Sequence, residues 1–260
     1  VHPGKQHSYH LAEALKKEGM LEKYVTTVYN KKFSFTNIFG HFLKGDNKKR
    51  FLSRKSEIFD QCVIQYCELV GLILLLLYRI MPNSKVSYNI EKYIHEKVYM
   101  KTIKLAKKLN VDAIIFYGGL SKKHFNLKNR ICPNIKFIVD VPIATDQYIR
   151  RVFENDVKKT GDDYIKYEQA FTWNSGGNIR IPERNLLADG FLVGSTFVMK
   201  SLTDFSVNES KIRIVPYGVD TTRFFLKKYL KNIIKIRFLF VGSVNRRKGI
   251  HHLFPSFERL

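Results

Sequence analysis

The chain has 260 residues, 45% of them hydrophobic, enough for one large domain or two ordinary ones. Its 45 Lys+Arg against 23 Asp+Glu give a formal charge of +22. That excess suits anionic partners (nucleic acid, acidic lipid headgroups or a phosphorylated substrate) or else a solvated lysine-rich surface. A dedicated nucleic-acid binder is not expected, because no binding module and no interleaving of basic clusters with aromatics is evident.

In chain order, Val1-His2-Pro3-Gly4 reads as the tail of a strand, and Lys5–Glu18 as a helix with Leu11, Ala14 and Leu15 at helical spacing, ended by Gly19. The β-branched and aromatic Tyr24–Tyr29 predicts a strand. Asn30–Arg54 is punctuated and polar, hence irregular; within it the basic, aromatic Phe39–Arg54 suits either an anionic membrane surface or an ordinary polar loop. Helical text resumes through Leu77 and breaks at Met81-Pro82-Asn83. Its apolar run, Leu69–Leu77, is shorter than the ~20 residues that cross a bilayer and reads as a buried helix.

Ile90, Ile94, Val98, Leu105 and Leu109 mark one face of a long helix, which leads into a strand at Val111–Tyr117. Further strands are expected at Ile135–Val141, Gly190–Val193 and Ile212–Val215, with a helix at Asp162–Asn174 and another capped by Ser195 or Thr196. Strands alternating with helices predict an α/β fold with a doubly wound parallel sheet covered on both faces. Gly218 ends that series and a new apolar strand opens at Ile236, so the boundary falls between a first domain, residues 1–232, and the start of a second, residues 233–260. Both ends of the chain read as clipped.

Cys62, Cys67 and Cys132 lack metal-ligand or redox spacing and read as reduced, mostly buried thiols of a cytoplasmic protein. His2, His7 and His10 have no carboxylate or cysteine near them in sequence and read as surface or capping residues; no metal is expected.

Ligands of doubly wound folds bind where strands run into helix N-termini, whose free N–H groups suit phosphate. Two loops fit. At His2–His7, Gly4 permits close backbone approach and Lys5 adds charge. At Gly242–Gly249, a glycine follows an apolar run, Phe238–Val241, and Arg246, Arg247 and Lys248 precede a second glycine. Neither loop holds G-x-G-x-x-G, and G-x-x-x-x-G-K-[ST] is absent, which counts against nicotinamide oxidoreductases and P-loop nucleotide hydrolases.

The ordered series Glu183, Ala188-Asp189, Phe191–Val193, Ser195, Lys211-Ile212, Pro216–Asp220, Phe224, Phe240–Gly242 and Arg247–Gly249 resembles that of the family 4 (group 1) retaining glycosyltransferases. The resemblance implies a GT-B fold: two Rossmann-like domains, the first binding the acceptor and the second the nucleotide sugar. It implies transfer of a sugar, with retention, from a nucleotide-sugar donor to a glycan, lipid-linked or small-molecule acceptor. No cofactor or metal is implied. The cysteines, apart from the resemblance, point to a cytoplasmic protein, and Phe39–Arg54 to peripheral contact at the inner face of an anionic membrane. Arg247 and Lys248 match the pair that neutralises the donor diphosphate, Gly242 opens their loop, and Gly4 matches the first-domain loop that approaches the same phosphates.

Two departures matter. A histidine common in the family at the end of the strand corresponding to Ile135–Val141 is replaced within VDVPIATDQY, leaving Asp140, Asp146 or Thr145 to meet the sugar. The family's E-x7-E pair is absent from the chain. The alternative expectation is therefore a catalytically inactive GT-B-like binding or scaffold fragment.

Overall fold

Six parallel strands carry the fold of this computed structural model, in which residues 1–4, 7–81, 84–118, 120–161, 187–226, 238–242, 244 and 248–259 are described. Strands β1 (Tyr24–Thr26) and β2 (Val63–Gln65) pair parallel, with Val25 opposite Ile64. Strands β3 (Ala113–Phe116), β4 (Lys136–Val141), β5 (Gly190–Val193) and β6 (Ile212–Ile214) follow one another, parallel, in a second sheet. Val1 N donates to Ile115 O at 2.7 Å and His2 N to Val25 O at 3.0 Å, so residues 1–2 fill the place between β3 and β1. Counting that segment as the first strand, the order is 3-2-1-4-5-6-7, compatible with a Rossmann-like sheet.

The helices among the described residues are α1 (Ser8–Lys17), α2 (Phe35–Phe42), α3 (Gly45–Leu52), α4 (Glu68–Ile80), α5 (Lys85–Leu109), α6 (Lys122–Ile131), α7 (Asp146–Thr160), α8 (Thr196–Thr203) and α9 (Ile250–Glu258). None of the described helices is long and apolar enough to cross a membrane. The chain divides into two compact units, Val1–Thr145 with Arg180–Val215, and Asp146–Ile179 with Pro216–Leu260. All six strands belong to the first.

The core of that unit joins Phe116, Phe137, Val139, Phe191 and Val193 of the sheet to Ile94, Val98, Tyr99 and Ile103 of α5. Tyr99, Phe116 and Phe137 stack edge to face in succession, at 4.9 and 4.8 Å between ring centroids. A second cluster beneath α1 packs Tyr9, Tyr24, Tyr29 and Phe59. Helix α5 starts at the Ser84 cap, whose hydroxyl accepts the Ser87 N–H, and ends at left-handed Asn110.

Several expectations are corrected. Asn30–Arg54 is not irregular: it folds as α2 and α3. Ser34 caps α2, the Glu68 carboxylate accepts from Thr36 N and Oγ1, and Gly40 sits where an added Cβ would collide with the Leu52 side chain. Val63–Gln65 lies in text read as helical, yet pairing with β1 makes it a strand. Helix α1 buries Ser8, Tyr9 and Ala12 and leaves Ala14 exposed, because Tyr9 packs edge-on against Tyr24 and Phe59 while Ser8 Oγ bonds Tyr24 OH at 2.7 Å.

Phe238–Val241 form no strand, and Leu239 and Val241 are 86% and 83% exposed. An extended segment needs a neighbour for its backbone groups, and among the described residues the second unit has no strand to supply one. The helix expected at Asp162–Asn174 lies outside the described residues. Ser195 does cap α8, accepting the Val198 N–H.

Candidate functional site

Doubly wound sheets bind ligands beyond the carboxyl ends of their strands, where the order reverses. Here that point lies between the His2–Gly4 segment and β3. Thr27 Oγ1 donates to Pro3 O and Thr26 Oγ1 to Gly4 O at 3.4 Å, which pins the His2–Gly4 turn to the end of β1. Beyond β3, Gly118 at φ +67 turns the chain away and leaves Tyr117 at the edge.

Four side chains meet there. The Tyr117 ring takes His2 and His7 edge to face at 4.7 and 5.2 Å. His7 Nε2 lies 3.5 Å from Asp140 Oδ1, at the carboxyl end of β4. Asp140 is 9% exposed. Burial raises its carboxyl above the ordinary carboxylate pKa; His7 and the Tyr117 hydroxyl favour the ionised form but do not overcome the burial. A buried carboxyl shared with an imidazole and a phenol is suited to orienting a hydroxyl and taking its proton.

Gly4 lies in this group, with its N–H already donating to His2 Nδ1 at 2.7 Å. An added Cβ would come 3.0 Å from His2 Cε1. In this structure the Gly4 N–H is therefore occupied by His2.

Beside the turn lies a cleft of about 280 Å³. Gly4 and Thr27 form one wall and Gly71 and Leu74 of α4 another, while Arg54, Tyr78, Glu91 and His95 supply its polar lining. Tyr78 is hydrogen-bonded to Glu91, and burial with that carboxylate raises its phenol pKa. Burial, reinforced by His124, lowers His95 to about 4, so it is neutral at pH 7. Burial also lowers the Arg54 guanidinium, and no carboxylate among the described residues pairs with it. A half-buried cation facing a cleft favours an anionic occupant.

The other predicted residues fall elsewhere. Thr145 is tied to α8: its N–H donates to Ser201 Oγ at 3.2 Å. Asp146 is the first residue of α7, in the second unit. Within that unit the structure brings Gly242 and Lys248 together, since a Cβ added at Gly242 (φ +153) would lie 4.0 Å from Lys248 Cδ. Gly249, at φ +76, then starts α9. Arg247, Arg246, Ser243 and Glu183 lie outside the described residues.

His2 and His7 are corrected from surface or capping residues to members of the crevice: His2 is buried, and His7 precedes α1 with no side-chain cap bond. Tyr117 and Arg54 carried no sequence signal of a site, because only the fold brings them to one edge. Among the described residues no group of three His, Cys, Asp or Glu side chains is placed to hold a metal. No family model, no curated protein and no solved structure matches the chain.

Proposed function

We propose that the protein transfers a sugar from a nucleotide-sugar donor to a glycan, lipid-linked or small-molecule acceptor, with retention, in the manner of a GT-B glycosyltransferase. The observation that carries this reading is the buried Asp140 carboxyl, flanked by His7 and Tyr117, at the point where a parallel sheet reverses its strand order. The acceptor hydroxyl oxygen forms the new bond to the anomeric carbon, the bond from that carbon to the diphosphate breaks, and the hydroxyl proton passes to the Asp140–His7 pair. The ordered series from Glu183 to Gly249 supports assigning the departing diphosphate to the Gly242–Gly249 loop, with Arg247 and Lys248 offsetting its charge. No catalytic metal enters this reading. Arg54 supports an acceptor with a phosphate or carboxylate near the reacting hydroxyl.

Calorimetric titration with a panel of UDP- and GDP-linked sugars tests the proposal, followed by product analysis with the donor that binds. Binding that weakens at least tenfold in Lys248→Ala, with turnover lost in Asp140→Asn, is the expected result. Absence of binding by every nucleotide sugar in the panel overturns it.

A further inference from the structure

Two neighbouring helices of the first unit each turn an apolar face outward. On α2 the exposed residues are Phe35, Ile38, Phe39 and Phe42, at steps of three, one and three; Phe42 is 78% exposed. On α4 they are Leu69, Ile73, Leu76 and Ile80, at steps of four, three and four, and Ile80 is 65% exposed. Both are faces of single helical stripes. They lie opposite the residues that hold each helix to the fold, Thr36 and Gly40 on α2 and Gly71 and Leu74 on α4. Thr36 bonds Glu68 at the start of α4, and Arg79 near its end donates to Asn47 of α3 at 2.7 Å, so the three helices form one layer. Large apolar side chains repeated on two joined helices exceed the scattered singles of an ordinary surface.

The charge around these stripes is one-sided. From Lys31 to Lys55 the chain carries eight Lys or Arg and a single acid, Asp46. Lys32, Lys44, Lys49, Arg50 and Lys55 are exposed, as is Arg79 on α4. We propose that the outward face of α2, α3 and α4 docks on the surface of a bilayer rich in anionic lipid, its Phe, Leu and Ile side chains entering the headgroup boundary and its cations meeting lipid phosphates. Helices lying in the interface combine an apolar face with Lys/Arg and bury roughly 5–10 Å deep. Each cation near an anionic surface adds to the attraction, so several of them draw the face down. A second copy of this chain is a poorer occupant, because a two-fold contact would set the same cations against one another. The inference does not depend on the sugar-transfer reading.

The test is flotation of the protein with phosphatidylcholine vesicles and with vesicles of phosphatidylcholine plus phosphatidylglycerol, at low and at high salt. Binding to the anionic vesicles is expected to exceed binding to the neutral ones at least tenfold and to fall as salt rises. Charge reversal in Lys48→Glu, Lys49→Glu and Arg50→Glu together, and separately Phe39→Ser with Leu76→Ser, should each lower binding at least tenfold while the far-ultraviolet circular dichroism stays unchanged. These residues are exposed or half-exposed, so folding is retained; as a second readout, Phe42→Trp should shift its emission to the blue with anionic vesicles alone. Equal binding by wild type and both variants overturns the proposal. So does a failure to float with anionic vesicles at low salt, or apolar-face-dependent dimerisation without lipid.

Discussion

Asp140 and His95 are ionisable groups held where their charged forms are poorly solvated, and each makes a definite prediction. The Asp140 carboxyl has a folded pKa raised by burial, so its contribution to stability is fully present below the ordinary value of 3.8 and is lost as pH rises through the folded value. Above that value its buried charge opposes folding. Asp140→Asn should therefore raise the Tm at pH 7 by a few degrees in a thermal melt while lowering turnover about 10²-fold or more, the separation expected of a residue kept for chemistry. His95 behaves in the opposite sense with pH. Its folded value of about 4 lies below the ordinary 6.5, so stability present above 6.5 is lost as pH falls towards 4. Replacing it by Gln should flatten the fall of Tm across that window, leaving the smaller slope that buried His124 contributes through the same cause.

At the scale of elements, the sheet is fastened to its helices by a few close contacts. Lys128 of α6 reaches Asp189, just before β5, at 2.9 Å, and the same carboxylate oxygen accepts Phe137 N of β4 at 2.8 Å. Burial pushes the Asp189 carboxyl up, but the Phe137 N–H and Lys128 more than offset it and leave its pKa below the ordinary range. That stabilisation is present above about pH 4 and disappears as the carboxyl is protonated below it. Asp189→Ala should cost about 2 kcal/mol at pH 7 by urea unfolding, a partly exposed pair costing less than the 3–5 of a fully buried one. The difference from wild type should vanish at strongly acid pH. Gly71 makes a second such contact: an added Cβ would stand 2.9 Å from Val28 Cγ2 and 3.0 Å from Thr27 Cβ, so α4 can rest on the end of β1 only without a side chain there. Gly71→Val should destabilise by about 1–3 kcal/mol through overpacking and reshape the cleft beside Gly4.

For the whole molecule the dominant quantity is the formal +22. Like charges confined to a compact state repel one another, and salt screens them. Raising the ionic strength from about 0.01 M to about 0.15 M shortens the Debye length from roughly 30 to roughly 8 Å, and the Tm should rise over that range. A fall would mean that attractive ion pairs outweigh the repulsion. Few pairs among the described residues are placed to do so, with Lys128–Asp189 and the exposed Lys123–Glu96 the shortest, both 2.9 Å or less.

The parallel α/β character was determined by the sequence itself. Apolar runs such as Phe137–Val139 and Phe191–Val193 have no polar alternation, so they must be buried on both faces, and helices such as α5 supply the cover. Ser195 and Gly19 likewise mark their helix ends through local hydrogen bonding and a φ of +69, neither of which depends on distant residues. The tertiary structure alone decided the rest. Val63–Gln65 became a strand through pairing with β1, and α2 became a helix once Glu68 gave its start a partner and Leu52 of α3 packed on its Gly40. The crevice is a tertiary product of the same kind. Asp140 was legible as the acidic end of a strand, but His7, Tyr117 and Arg54 are far from it in sequence. Their chemistry arises from burial and proximity, which local periodicity does not encode.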